Sequence, residues 1–336
     1  MTQPPDPPRV GDTPEGEILR RILAVLGPTP GVTIGPGDDA AVLPGAGPVV
    51  VTTDTLVHGP DFRLSWSSGF DLGFKSAAVN LADIAAMGAR PTALLVALAM
   101  PAETTLDFVE DLARGLRTAC EQLAPECGVA GGDLTISPTL TIAVTALGAL
   151  EGPPVLRSGA RAGDVVALAG EAGAAARGLS VLFERFTDAE GRALAIDRSS
   201  LSPLEAACVD AQLRPRPPIA LGAAAARGGA SAMMDVSDGL ALDAGRLADA
   251  SGVRIELASA LLGPHLPWAV AGGEDHALLA TFPADRDLPE GFRVIGRAGA
   301  VDDPGGARVC VDGESASGGW DPYRDWDRRG DAAPAS

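Results

Sequence analysis

LGFKSAAVNLADIAAM, residues 72–87, predicts a helix that is apolar over most of its surface. Ser76, Asn80 and Asp83 follow one another at i, i+4 and i+7, so a helix places all three side chains on one face. Gly88 directly after the segment predicts the end of the helix. Because the rest of the helix is apolar, this narrow polar stripe is expected to face something polar inside the protein, and a functional site is the natural candidate.

Strands and helices are predicted on both sides of this helix. The sequence predicts helices over 15–26, 72–87, 106–123, 174–186, 204–212 and 240–250, and strands over 40–43, 48–53, 92–100, 128–130, 140–147, 165–169, 230–236, 253–257 and 276–282. A connector rich in Gly, Pro and Arg at 151–164 separates two such runs. We therefore expect two α/β domains, at 13–152 and 153–327, with a disordered N-terminus at 1–12 and a tail at 328–336.

The charge and the cysteines limit the class of partner and the compartment. The chain of 336 residues has a formal net charge of −18, which argues against binding to a nucleic-acid backbone or an anionic membrane. We see no signal peptide and no apolar run long enough to span a bilayer. The four cysteines form no CxxC pair, so a reducing, cytoplasmic location is expected.

Five segments place aspartate beside apolar sequence. They are Gly37-Asp38-Asp39-Ala40, Thr52-Thr53-Asp54-Thr55, Asn80-Leu81-Ala82-Asp83, Gly131-Gly132-Asp133 and Asp235-Val236-Ser237-Asp238-Gly239. Carboxylates beside buried apolar segments are costly, and clustered carboxylates repel one another unless a cation compensates their charge. Mg²⁺ takes such oxygen ligands and keeps positions for phosphates, so the five segments together predict a magnesium and phosphate site. Each segment alone fits a turn or a helix cap equally well, except Asp83, which lies inside a helix.

Other common motifs are absent from the sequence. Residues 69–76, GFDLGFKS, differ from a Walker A loop because Phe74 separates the glycine from the lysine. His58, His265 and His276 lack the spacing of a zinc site, and each is interpreted as a surface or core histidine.

Six motifs resemble, in order and spacing, those of the thiamine-monophosphate kinase family. They are GDDAAVL (37–43), TTDTLVHGPDF (52–62), LGFKSAAVNLADIAAMGARP (72–91), GGDLTIS (131–137), MMDVSDGL (233–240) and GGEDHALL (272–279). The resemblance implies ATP-dependent phosphorylation of thiamine monophosphate to thiamine diphosphate, with several Mg²⁺ ions. It also implies the two-domain fold of aminoimidazole ribonucleotide synthetase, an α/β (α+β) fold in which the N-terminal sheet forms the interface of a homodimer.

The resemblance also assigns residues. The implied metal ligands are Asp39, Thr52, Thr53, Asp54, Asp83, Asp133, Asp235 and Asp238; the ATP contacts are Gly132, Asp133, Arg157 and Ser237; the substrate contacts are Asp61, Glu274 and Tyr323. Three positions depart from the family pattern. Asp61 stands where many members have histidine, His276 stands where GGEDYE has tyrosine, and Gly319-Trp320-Asp321-Pro322-Tyr323 replaces a GYDHF-like ending.

The chemistry expected of such a site is direct in-line transfer, with no covalent nucleophile and no general base, because the attacking phosphate oxygen is already anionic. The helix after Ser237-Asp238-Gly239 is expected to direct its N-terminus at phosphate, or to be capped by Ser237 or Asp238. Two alternatives stay open: another ATP-using enzyme of the same superfamily, and a non-catalytic paralogue that binds nucleotide or metal.

Overall fold

A computed structural model describes residues 7–32, 43, 45, 47–301 and 305–320. The predicted strand at 40–43, apart from residue 43, and the predicted site residues Asp39 and Tyr323 lie outside the described residues. The chain divides into two compact units, one of residues 1–80 and 91–148 and one of residues 81–90 and 149–336. The expected domain boundary at 152/153 stays a prediction.

The first unit is built on a four-stranded sheet. Its elements are α1 (Glu15–Leu26), β1 (Val49–Val57), α2 (Gly69–Ala86), β2 (Arg90–Met100), α3 (Leu106–Leu123), β3 (Val129–Ile136) and β4 (Thr141–Ala149), although α2 from residue 81 clusters with the second unit. The strand order is β1-β4-β2-β3, and β2 and β3 run parallel. Thr105 caps the N-terminus of α3, because its hydroxyl accepts the N–H of Phe108.

Glycines bring α2 and α3 together. A Cβ on Gly73 would overlap the carbonyl oxygen of Leu112, and one on Gly115 would overlap the carbonyl oxygen of Phe70. The two backbones are therefore in direct contact, and α2 is buried as its apolar sequence predicts: Phe74, Leu81 and Ile84 are each 1% exposed or less.

Residues 8–11 pack against the start of α3. The N–H of Leu106 donates to the carbonyl of Pro8 (2.9 Å), and the N–H of Val10 donates to that of Thr104 (2.8 Å). These residues belong to the segment that was expected to be disordered; in the structure their backbone groups find partners and the Val10 side chain is buried.

The predicted positions of two motifs were wrong. Asp54 lies inside β1 and not after the strand predicted at 48–53, and Gly131-Gly132-Asp133 lies inside β3 and not after the strand predicted at 128–130. Paired glycines usually indicate a turn, but here a side chain on Gly132 would overlap the carbonyl oxygen of Val96 on β2. The glycine permits close pairing of two strands.

The second unit contains a seven-stranded mixed sheet. Its elements are β5 (Val165–Ala169), α4 (Ala174–Arg185), α5 (Pro203–Leu213), α6 (Ile219–Arg227), β6 (Ala232–Val236), α7 (Leu240–Ser251), β7 (Arg254–Leu257), α8 (Trp268–Ala271), β8 (Ala277–Phe282), β9 (Phe292–Gly299), β10 (Val309–Val311) and β11 (Glu314–Ser315). The strand order is β11-β10-β7-β9-β5-β8-β6. The α/β fold class expected from the sequence is confirmed. Among the described residues, no helix has both the length and the apolar composition needed to span a membrane.

Candidate functional site

The polar stripe on α2 holds the strand that carries Asp54. Asn80 is 1% exposed, and its Oδ1 accepts the backbone N–H of Asp54 (3.1 Å). Its Nδ2 donates to the carbonyl of Ser76 (2.9 Å), and the Ser76 hydroxyl donates to the carbonyl of Gly73 (3.1 Å). Asp83, three residues after Asn80 on α2, is half-buried. The stripe thus does face polar groups, and Asn80 fixes the backbone at Asp54.

The predicted ligands on the first sheet differ in their surroundings. Asp133 is exposed on β3, and Thr52 and Asp54 are half-buried on β1. Alternate residues of a strand point to opposite faces, so Thr52 and Asp54 share a face that Thr53 does not. The Thr53 hydroxyl donates to the carbonyl of Val144 on β4 (3.0 Å), so it makes its hydrogen bond within the sheet.

The described residues do not form a metal centre by themselves. No three Asp, Glu, His or Cys side chains among them are grouped so that they could hold a metal ion. The predicted assembly of carboxylates is therefore not seen in this part of the chain, and the metal ligands stay a prediction.

In the second unit, Asp235 lies near the end of β6 and is 4% exposed. The antiparallel pairing of β6 with β8 sets Val236 opposite Ala277, and His276 directly precedes Ala277. His276 therefore lies close to Asp235. The Nδ1 atom of His276 lies 3.1 Å from Oδ2 of Asp235. His276 is buried, as the interpretation as a core histidine expects. Its ring also contacts an acidic side chain, that of Asp235.

The loop after β6 is held by an aspartate that the sequence reasoning missed. Oδ2 of Asp243 accepts the backbone N–H groups of Asp238 (3.0 Å) and Gly239 (3.2 Å). The expectation that Ser237 or Asp238 caps α7 is wrong: the N-cap is Gly239, with φ 124°, and it makes no side-chain cap. An acid in the first helical turn was a signal for this role, since acids favour helix N-termini.

Arg246 joins two of these acids. Its Nη1 donates to Asp238 (2.6 Å) and to Asp243 (2.7 Å). Burial, together with the charges of Asp235 and Asp238, raises the pKa of Asp243 to about 6. The loop therefore concentrates negative charge that one guanidinium only partly offsets.

The segment 272–276 forms a strained loop against the loop after β6. Glu274 and His276 have positive φ, 71° and 52°, an uncommon conformation for residues other than glycine. The N–H of Glu274 donates to the carbonyl of Ser237 (2.8 Å), and that of His276 donates to the carbonyl of Val236 (3.0 Å). Strain of this kind clusters at functional sites, where the surrounding structure maintains it.

Asp275 anchors the same loop to α4. Its carboxylate accepts the N–H groups of Gly173 (2.6 Å) and Ala175 (2.8 Å) at the start of that helix. Burial raises the pKa of the Asp275 carboxyl, while the two backbone donors oppose that rise. Asp275, like Asp243, was not predicted to matter.

Two other predicted contacts lie at the surface. Asp61 is exposed, and its Oδ2 accepts the N–H of Val57 (2.7 Å), which closes the turn after β1. Arg157 is exposed, and its carbonyl accepts the hydroxyl of Ser251 (2.7 Å).

Comparison with known proteins identifies the family. Residues 37–150 match the family model "AIR synthase related protein, N-terminal domain", and residues 161–287 match "AIR synthase related protein, C-terminal domain". The thiamine-monophosphate kinase of Mycobacterium tuberculosis (strain ATCC 25618 / H37Rv) is 42% identical over 321 residues, which cover 89% of this chain and 88% of that protein. The chain belongs to the thiamine-monophosphate kinase family.

Solved structures of the thiamine-monophosphate kinase family agree in fold. The enzyme from Stenotrophomonas maltophilia K279a superposes with a TM-score of 0.73 at 32% identity, over 90% of this chain and 98% of that one. A structure of AaThiL complexed with AMPPCP and TMP has a TM-score of 0.70 at 30% identity, over 91% of this chain and 96% of that one. The resemblance drawn from the six motifs is confirmed, and so is the two-domain fold of the family.

Proposed function

We propose that this chain transfers the γ-phosphate of ATP to the phosphate of thiamine monophosphate and so produces thiamine diphosphate. The observation that carries the proposal is the kinship with thiamine-monophosphate kinases over nearly nine-tenths of the chain. The related AaThiL complexed with AMPPCP and TMP supports ATP as co-substrate and thiamine monophosphate as acceptor.

The proposed mechanism is direct in-line transfer. The acceptor phosphate oxygen is anionic near neutral pH, so it attacks the γ-phosphorus without a general base. The main task of the protein is to hold two polyanions in line, and preorganised charge supplies most of such catalysis. Asn80 contributes by fixing the backbone at Asp54, and Asp243 contributes by holding the backbone at Asp238 and Gly239.

We propose Mg²⁺ as the counter-charge. The candidate ligands are all hard oxygen donors, which fit Mg²⁺: Asp39, Thr52, Asp54, Asp83, Asp133, Asp235 and Asp238, with Thr53 as a backbone-carbonyl candidate. When bound there, Mg²⁺ would neutralise negative charge on the phosphates and the charge that develops in the transfer. Oδ2 of Asp238 forms an ion pair with Arg246. Asp238 can therefore bind Mg²⁺ only if this ion pair breaks or if Oδ1 is the ligand atom. Gly132, Asp133, Arg157 and Ser237 are proposed for ATP, and Asp61, Glu274 and Tyr323 for the thiamine substrate.

We also propose a homodimer and a cytoplasmic location. The sheet of the first unit exposes apolar side chains that a partner would cover: Val49 is 57% exposed, Val51 59% and Leu95 38%. The free cysteines fit a reducing compartment. Light scattering after gel filtration is expected to give the mass of two chains for the wild type and of one chain for Val51→Glu. One chain for the wild type would refute the dimer.

The activity test is direct. The purified protein is incubated with Mg²⁺, ATP and thiamine monophosphate, and thiamine diphosphate and ADP are quantified by chromatography. Equal amounts of the two products are expected. ADP without thiamine diphosphate would indicate another ATP-using enzyme, and binding of ATP without turnover would indicate a non-catalytic paralogue; both results contradict the proposal.

The ligand assignment is tested with Asp83→Asn. The variant is expected to lower kcat by at least about 100-fold, as losing a charge-stabilising group does, and to raise the Mg²⁺ concentration that gives half-maximal rate. Asp287→Asn, in an exposed loop, is the matched control that removes the same charge elsewhere. An unchanged kcat and unchanged Mg²⁺ dependence in Asp83→Asn would show that Asp83 is no ligand.

A further inference from the structure

Asp235 is a buried carboxylate whose one hydrogen-bond partner among the described residues is a histidine. Its side chain is 5% exposed and that of His276 is 8% exposed. Within the described part of the chain, the Asp235 carboxylate makes one hydrogen bond, between its Oδ2 and Nδ1 of His276. Its other oxygen, Oδ1, has no hydrogen-bond partner among those residues. Oδ1 does not belong to the enclosed side-chain atoms of the described residues that lack a partner, so it reaches solvent and is open to a ligand.

The direction of the hydrogen bond follows from the chemistry of the pair. An ionised carboxylate only accepts hydrogen bonds, so Nδ1 of His276 carries the proton that lies between the two side chains. The bond therefore restrains the rotation of the carboxylate about its last torsion angle. It assigns Oδ2 to the imidazole and leaves Oδ1 for a ligand.

The backbone that carries the imidazole is held in place by hydrogen bonds. His276 adopts φ 52°, and its N–H donates to the carbonyl of Val236, the residue after Asp235. One residue earlier, Asp275 is bound to two N–H groups at the start of α4. The histidine therefore cannot shift without breaking backbone hydrogen bonds on both sides of the loop.

We propose that His276 is a positioning residue that orients the Asp235 carboxylate for a divalent cation. The inference rests on the proposed function, because that function makes Asp235 an Mg²⁺ ligand. Outer partners of ligating groups fix the ligand's orientation, and removing one typically costs about 10- to 100-fold in metal affinity. In this chain the donor is an imidazole.

The test compares variants that remove or retain the donor. His276→Leu removes it, and His276→Gln places its amide one carbon too far along the side chain. His276→Asn keeps an N–H donor at the δ position, and asparagine tolerates positive φ better than most residues. His265→Leu is the control: His265 is also a buried histidine of this unit, 7% exposed, whereas the hydrogen bond to Asp235 comes from His276.

The measurement is the binding of Mn²⁺, a paramagnetic substitute for Mg²⁺, titrated in the presence of AMPPCP and followed by electron paramagnetic resonance. His276→Leu and His276→Gln are expected to raise the dissociation constant of one class of sites by about 10- to 100-fold. His276→Asn is expected to restore most of the affinity, and His265→Leu to bind like the wild type. Urea unfolding in EDTA shows whether each variant is folded, and the Gln variant serves if the Leu variant is not.

Wild-type affinity in both His276→Leu and His276→Gln would overturn the inference, and so would an Asp235→Asn variant that binds Mn²⁺ like the wild type. The proposed kinase activity fails separately, if the wild type makes no thiamine diphosphate. Loss of Mn²⁺ affinity in the Leu and Gln variants, with rescue by Asn, would then still support the positioning role.

Discussion

Asp275→Ala should release the loop 272–276 from α4. The substitution removes the acceptor for two backbone N–H groups, those of Gly173 and Ala175, which the carboxylate binds at 2.6 and 2.8 Å. A buried donor left without a partner costs about 1–3 kcal/mol, so the two together cost about 2–6 kcal/mol. Removing a buried carboxylate, whose pKa is raised by that burial, returns part of this cost. We expect a net loss of about 2–4 kcal/mol in the free energy of unfolding of this unit.

Two measurements check this value. With a urea dependence of about 2–3 kcal/mol per molar, the unfolding midpoint of the second unit should fall by about 1 M. Amide hydrogen exchange should show loss of protection in a peptide that contains Gly173 and Ala175. Asp275→Asn keeps one acceptor oxygen and should lie between the wild type and Asp275→Ala. The exposed Asp287→Ala is the control. Unchanged exchange at the start of α4 in Asp275→Ala would show that the capping contact does not stabilise this loop.

Two further substitutions test the first unit and the acid stability of the second. Asn80→Leu replaces a buried amide by an apolar side chain of similar size and leaves the N–H of Asp54 without its acceptor, so unfolding should become easier by about 1–3 kcal/mol, measured by urea denaturation. The carboxylate of Glu205 accepts the backbone N–H of Ser202. This bond, the hydroxyl of Ser202 and the guanidinium of Arg185 lower the pKa of Glu205 from 4.5 to about 2. A lowered folded-state pKa stabilises the protein above pH 4.5, and that contribution is lost as the pH falls from 4.5 towards 2. The difference in urea midpoint between wild type and Glu205→Gln should therefore narrow as the pH falls from 5 to 3, and a constant difference would contradict the assignment.

Much of the secondary structure could be predicted where local signals are strong. The predicted bounds of α1, α3 and β5 agree with the structure to the residue. An apolar stripe at helical spacing and a hydroxyl cap at Thr105 mark α3 unambiguously. The strands β9–β11 were missed because Gly-rich and Arg-containing segments carry no clear period.

The sequence predicts a set of candidate site residues, which stays a prediction, and it does not predict their contacts. Asp235 and Glu274 were proposed through their motifs, whereas the bond of Asp275 to Gly173 depends on a backbone N–H group that folding brings within reach. Sequence spacing does not record such bonds across 100 residues, as between Asp275 and Ala175. The error at Gly132 has the same origin, because the need for glycine comes from a neighbouring strand.

The contact between α2 and α3 has a mechanical consequence. Because Gly73 and Gly115 bring backbone against backbone, neither helix can turn about its own axis without a collision between main-chain atoms. The rotational setting of α2 is thereby locked two turns before Asn80. Asn80 therefore faces the backbone of Asp54 without any rotation of α2. A methyl group added at Gly73 would rotate or displace α2 and so weaken this hydrogen bond, although it contacts neither Asn80 nor Asp54.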